Sequence, residues 1–171
     1  MKKKFILLLF LITFLNSWTK ADDITDFQIE GISIGDSLLD HVNKSELKNF
    51  KFIYSNKAFK STILQNLSYN YDAIQFSVKA NDSKFIIHNI SGKIYYENKY
   101  NECLNKMVEI TDAFKSVISD ETKTQSKDNI KRSKESDPSG KSIWSYRAFY
   151  LNDGSAAQVF CTDWSEEKKY K

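Results

Sequence analysis

Two cysteines follow an apolar leader in this chain of 171 residues, and no other feature restricts its fold as strongly. Met1-Lys2-Lys3-Lys4 is a charged start, and Phe5 to Leu15 is an apolar run broken only by Thr13. Thr19-Lys20-Ala21 then puts small residues at the two positions that a signal peptidase reads. The pattern predicts a cleaved signal peptide over residues 1–21 and a single domain over 22–171. A membrane-crossing helix takes about 20 apolar residues, more than this run supplies, so no membrane span is expected after cleavage. The expected location is periplasmic or secreted, where thiols meet an oxidising compartment and pair. Cys103 and Cys161 are therefore expected to form a disulfide. Neither shows the Cys and His spacing of a metal site or a catalytic thiol.

Charge narrows the partners. The chain carries 25 Lys and Arg against 22 Asp and Glu, but Lys2, Lys3, Lys4 and Lys20 all fall in the leader, which has no acid. Removing those four cations leaves 21 against 22, a balance that gives no reason to expect nucleic acid or an anionic membrane as the partner. Past the leader 20 aromatic residues remain, enough for a real core.

Hydrophobic periodicity places the elements. Phe27 to Gly35 alternates apolar with small or polar residues, and Asp36 ahead of Ser37 to Val42 predicts a capped short helix after a glycine turn. Ser45 to Phe50 predicts a second helical turn, and a strand is expected near 59–65 within a segment, 51–70, that is otherwise ambiguous. Ile74, Phe76 and Val78 alternate with Ala73, Gln75, Ser77 and Lys79, the period of a strand buried on one side. After Asn81-Asp82-Ser83, Phe85 to Tyr96 resumes extended structure as the other arm of a hairpin, with Gly92 predicting a bulge or bend. Beyond a capping Asn98, Tyr100, Cys103, Leu104, Met107, Ile110, Thr111, Phe114, Val117 and Ile118 recur at three- and four-residue steps. That stripe predicts a long amphipathic helix packed on a sheet.

Residues 119–142 are rich in Ser, Lys, Asp and Glu and hold the one proline, which predicts a mobile charged loop. Its cations Lys127, Lys131, Arg132 and Lys134 are interleaved with Asp128, Glu135 and Asp137, the composition of a solvated linker. Ile143 to Leu151 and Ser155 to Cys161 flank Asn152-Asp153-Gly154 and predict a second hairpin. With Asp153-Gly154 as a two-residue loop, Tyr150 faces Ala157, Ala148 faces Val159 and Tyr146 faces Cys161. Asp163 to Lys169 predicts one exposed helical turn. The expected fold is α+β, with short N-terminal helices and an antiparallel sheet of about four or five strands in two hairpins, the long helix packed on it.

Chemistry-bearing residues are few. His41 and His88 are the only histidines, each without a spaced partner, and His88 is expected on the strand face of Ile86 and Ile90 as a half-buried structural residue. Asp22, Asp23 and Asp26, then Asp36 and Asp40, lack the alternating ligand pattern of a calcium loop. Five glycines supply no phosphate-cradling loop or nucleophile elbow, so no catalytic, metal or cofactor residue is assigned and no cofactor is expected. The Asn-x-Ser sequons at Asn43, Asn66, Asn81 and Asn89 are discounted as chance in a chain rich in both residues.

The run Phe27 to Leu39, with Ile90-Ser91-Gly92-Lys93-Ile94 and Cys103, resembles small exported proteins of unknown function from AT-rich alphaproteobacteria; the resemblance covers most of the chain past the leader and implies no activity. Gly31 to Asp36 is also similar to the glycine turn opening the helices of small outer-membrane assembly lipoproteins, a family whose lipidated cysteine has no counterpart here. The expected function is a non-catalytic binding or interaction module whose partner is another periplasmic or extracellular protein. The alternatives are a small exported hydrolase using scattered acids with His41 or His88, and an inhibitor of an exported enzyme. For a binding surface, Tyr95, Tyr96 and Trp144 are the expected anchors.

Overall fold

A computed structural model describes residues 23–47, 50–52 and 56–169; the predicted signal peptide and Asp22 lie outside them. The expected α+β architecture is overturned. Among the described residues the chain is mostly β, with nine strands in three antiparallel sheets and one helix of seven or more residues. A two-residue ribbon, β1 (Gln28–Ile29) with β2 (Ile32–Ser33), precedes a meander of β3 (Lys51–Phe52), β4 (Phe59–Gln65), β5 (Ala73–Lys79) and β6 (Ile87–Lys93). Helix α1 (Tyr100–Val117) then leads to a second meander, β7 (Lys123–Lys131), β8 (Ile143–Tyr150) and β9 (Ala156–Asp163), before a closing turn of helix at Glu166–Lys169.

The expected N-terminal helices are 3-10 turns of three residues each, Leu38–Asp40 and Lys44–Glu46. A helix nucleus fixes several dihedrals for one hydrogen bond, and segments this short do not extend it. Ser37, rather than Asp36, caps the first turn by accepting the Leu39 N–H at 3.3 Å. The Asp36 carboxylate instead accepts the Ser33 N–H at 2.9 Å. Meanwhile the Gly35 N–H donates to the Ile87 carbonyl and the Ile87 N–H to the Asp36 carbonyl, both at 2.9 Å, which ties this segment to the edge of β6. So anchored, Ile32, Leu38, Val42 and Leu47 close over Ile74, Phe76 and Ile87 to form the main apolar core.

Strand β4 covers the residues expected for it. The bulge does not fall at Gly92, which pairs regularly with Ile74. It falls where Ser77 and Val78 oppose Asn89 and Ile87, so His88 is the extra residue and is exposed rather than half-buried. Gly92 is needed for another reason: a Cβ there would run into the ring of Tyr71, which lies against the strand backbone.

The second hairpin turns through three residues. The Leu151 N–H donates to Ser155 at 3.0 Å, the Gly154 N–H to Leu151 at 3.1 Å, and Gly154 has φ +84°, the geometry of a turn ending in a glycine bulge. The Asp153 carboxylate accepts the Ser155 N–H at 2.8 Å and so draws Asn152 into the loop. The register moves by one residue: Ser145 pairs with Cys161 and Tyr146 with Phe160. Because strand side chains alternate, that step moves Tyr146, Ala148 and Tyr150 to the face opposite Cys161 and puts Ser145, Arg147 and Phe149 beside it.

Cys103 of α1 and Cys161 of β9 form a disulfide, with Cα atoms 5.9 Å apart. Beside it the Tyr100 hydroxyl meets Ser145 Oγ at 2.9 Å, and the Phe114 ring lies 4.7 Å from Phe149 and 4.4 Å from Phe27. The helix starts at Tyr100, after Lys99, and receives no side-chain cap. The segment expected as a mobile loop, 119–142, contains β7, which pairs with β8 through a bulge between Lys127 and Ile130. There Asn129, at φ +52°, turns its N–H onto Ser145 Oγ at 2.9 Å. Among the described residues no helix is long and apolar enough to cross a membrane.

Candidate functional site

The second meander has two unlike faces. One carries Ser145, Phe149 and Cys161 and receives α1. Since directly paired residues share a face, the other carries Trp144, Tyr146, Ala148 and Tyr150 from β8, Gln158, Phe160 and Thr162 from β9, and Lys123, Gln125 and Lys127 from β7. A sheet face turned to water ordinarily alternates into polar residues. Here Tyr146 and Ala148 are buried within the face, but Phe160 is 47% exposed and Tyr150 44%, with Trp164 at 36% just past the end of β9.

At one end of this face the aromatics enclose a cation. The Arg132 guanidinium carbon sits 4.3 Å from the ring centre of Trp144 and 5.3 Å from that of Trp164. Tyr146 stacks on the Trp144 ring at 4.7 Å and an interplanar angle of 24°. Arg132 Nη2 donates to Thr162 Oγ1 at 2.6 Å, and the Arg132 backbone N–H donates to the Ser142 carbonyl at 2.9 Å. Burial among the rings lowers its pKa from the ordinary arginine value, which leaves it a cation.

Behind Arg132 the chain is held by a buried acid. Asp137, 1% exposed, accepts hydrogen bonds from the Ser142 hydroxyl at 2.7 Å and its N–H at 2.9 Å, and from the Ser139 hydroxyl and N–H at 2.7 and 3.1 Å. The Ser142 hydroxyl in turn accepts the Ser165 N–H at 2.8 Å. These donors, Ser142 first, hold the Asp137 carboxyl well below the usual carboxylate range. The network joins the end of the 119–142 segment to the residues leading into the closing helical turn, and so fixes Trp164 relative to Trp144.

The residues expected as interaction anchors do not converge. Trp144 lies on the open face of the second meander, whereas Tyr95 and Tyr96 follow β6 in the first, where the Tyr95 N–H donates to Asp72 at 2.6 Å. His41 Nε2 lies 3.4 Å from Asp36, not on the adjoining Asp40. His88 meets the edge of Phe59 at 5.6 Å beside an open cleft of about 850 Å³ lined also by Lys57, Lys79 and Asp82. That cleft's acid is already engaged: Asp82 accepts the N–H groups of Ile86 and Lys84, each at 2.8 Å, which lower its pKa. Among the described residues no cluster of three His, Cys, Asp or Glu side chains is placed to hold a metal ion. Arg132, Phe160 and Trp164 were missed as a group because their meeting depends on the strand register and on a strand read as a loop.

Comparison of the chain with protein-family models, with curated proteins and with solved structures returns no match.

Proposed function

We propose that the chain is an exported, non-catalytic interaction module that holds another protein on the open face of β7–β9. The observation that supports this reading is the exposure of Phe160, Tyr150 and Trp164 on a face that also carries Trp144 and a stacked arginine. Binding energy between proteins concentrates in Trp, Tyr and Arg held in packed surroundings. Here the rings sit on paired strands tied to α1 by a disulfide, so little backbone freedom remains to be lost on binding. The apolar leader and the disulfide together support export.

The test is capture on the oxidised, immobilised protein recovered from cells that express the chain with its leader. A stoichiometric protein partner is expected, with retention weakened about tenfold by Phe160→Ser or Tyr150→Ser and unchanged by Ile63→Ser on the first meander. Retention indifferent to Phe160 and Tyr150 overturns the reading. So does turnover of a hydrolase substrate panel that vanishes in His41→Ala or His88→Ala.

A further inference from the structure

We infer that Arg132, held between Trp144 and Trp164, is a carboxylate-reading socket, and that its occupant is an extended acidic segment of the protein partner. This rests on the open face being the binding surface and adds the chemistry of what is bound there.

The socket is preorganised. The guanidinium is held against two indoles, one of its nitrogens is tied to Thr162, and the backbone of the same residue is fixed to Ser142. Among the described residues no carboxylate pairs with Arg132, and its buried Nε has no hydrogen-bond acceptor. Arg147, the only other arginine in the chain, shows the contrast: it grips Asp128 with two nitrogens, at 2.8 and 3.2 Å. A fixed guanidinium lacking an anion gains a charge-assisted, fork-shaped pair when a carboxylate arrives, with little ordering left to do.

The length of the ligand follows from the neighbouring strand. Lys123 and Lys127 share the open face, opposite Tyr150 and Tyr146, four residues or about 13 Å apart along β7. With Arg132 beyond them they form a row of positive charge, which complements successive acidic side chains better than one isolated carboxylate. Nucleic acid also carries anions in a row, and it binds such surfaces by stacking bases on free aromatic rings. Exposed rings are present at Phe160, Tyr150 and Trp164, but the field that draws a long polyanion is not, since past the expected leader the chain carries 21 Lys and Arg against 22 Asp and Glu. The charge balance therefore favours an acidic peptide.

The chain itself provides the probe. Its three tryptophans are Trp18, Trp144 and Trp164, so a Trp18→Phe background leaves indole emission only from the two rings around Arg132. An extended peptide alternating Glu with Thr is titrated against its Gln analogue, oligothymidylate and acetate. Saturable change with the Glu peptide alone is expected, weakening as salt is raised. Arg132→Lys is expected to reduce affinity about tenfold, because an ammonium cannot keep both the stack and the fork. Lys127→Gln, a surface change with no bearing on folding, is expected to reduce it several-fold, and Arg147→Lys to leave it unchanged. Equal binding of the Gln analogue, an unaltered affinity in both Arg132→Lys and Lys127→Gln, tighter binding of oligothymidylate, or saturation by acetate at the peptide's concentration would each overturn the inference. If partner capture still depends on Phe160 while the Glu peptide fails to bind, the interaction surface stands and the acidic occupant falls.

Discussion

The two meanders are built alike and finished differently. In β3–β6 the covered face is mainly apolar: Ile74, Phe76, Val78 and Ile87 are fully buried and Leu38 closes over them, with Thr62, paired with Phe76, as the buried polar exception. The face turned away from that core carries Ser61, Gln75, Ser77, Asn89 and Ser91, with the Gln75 amide donating to Ser61 at 2.8 Å and Ile63 as the aliphatic exception. In β7–β9 and the segment joining β7 to β8, buried polar residues, Ser145, Ser142 and Asp137, stand beside Cys161 and the apolar Phe149, Ala148 and Tyr146, and the face turned away from α1 carries the exposed aromatics. Apart from Phe52 and Ile63, 57% and 50% exposed on different strands, the first sheet places its large apolar side chains in its own core. The second meander adds a covalent bond and a polar network to the packing of Phe149 on Phe114, and Phe160, Tyr150 and Trp164 are left exposed for another molecule.

If that contrast is right, the largest loss comes from the first meander. Phe76→Ala removes a ring from the middle of its core and is expected to lower the unfolding free energy by about 3–5 kcal/mol, read by urea denaturation. A cost below about 1 kcal/mol would mean that the core collapses around the gap and that apolar packing is not what holds β3–β6. Breaking the disulfide tests the other side. Cys103→Ser with Cys161→Ser is expected to cost about 2–4 kcal/mol, since the bond closes a loop of 58 residues. Amide exchange should rise in α1 and β9 and stay slow in β5; an equal rise in β5 would show one cooperative unit rather than two differently held regions.

These differences also explain how far the sequence could be read. Clean alternation at Ile74, Phe76 and Val78 marks a strand buried on one side, and β5 lies there. The disulfide was legible because the leader and the cysteine count address the same question. The second hairpin was legible as a hairpin but not in register, because Asp153 can serve a two-residue loop or, by capturing the Ser155 N–H, a three-residue one. One residue of register then decided which rings face solvent. β7 was not legible at all: Lys-Thr-Gln-Ser-Lys-Asp-Asn is polar at every position, and what makes it a strand is pairing with β8. The socket inherited both errors, since Arg132 reaches Trp144 only after β7 has formed and Trp164 only after β9 has been set in register.

Asp137 offers the mildest test of the contrast, because it changes one network and no apolar contact. Its folded-state pKa lies below the ordinary carboxylate value, chiefly through the hydrogen bond from the Ser142 hydroxyl. The unfolded chain therefore binds that proton more tightly than the native one. It follows that the stabilisation is fully present above about pH 4 and is lost as pH falls below that toward the folded pKa. Asp82, Asp153 and Glu167 are shifted in the same direction, so the whole protein is expected to weaken in acid, and only a difference isolates the network. Asp137→Asn keeps the size and one acceptor oxygen but removes the charge. Its denaturation midpoint is expected to lie below that of the native sequence at neutral pH, with the gap narrowing as pH falls below about 4. The indole emission of Trp144 and Trp164 should shift in the variant, because the Ser142 to Ser165 link positions one ring against the other. A gap that persists unchanged into acid would mean that the Asp137 carboxylate is no more stable in the fold than in water, and that the charge of the polar network does not help to hold the second meander.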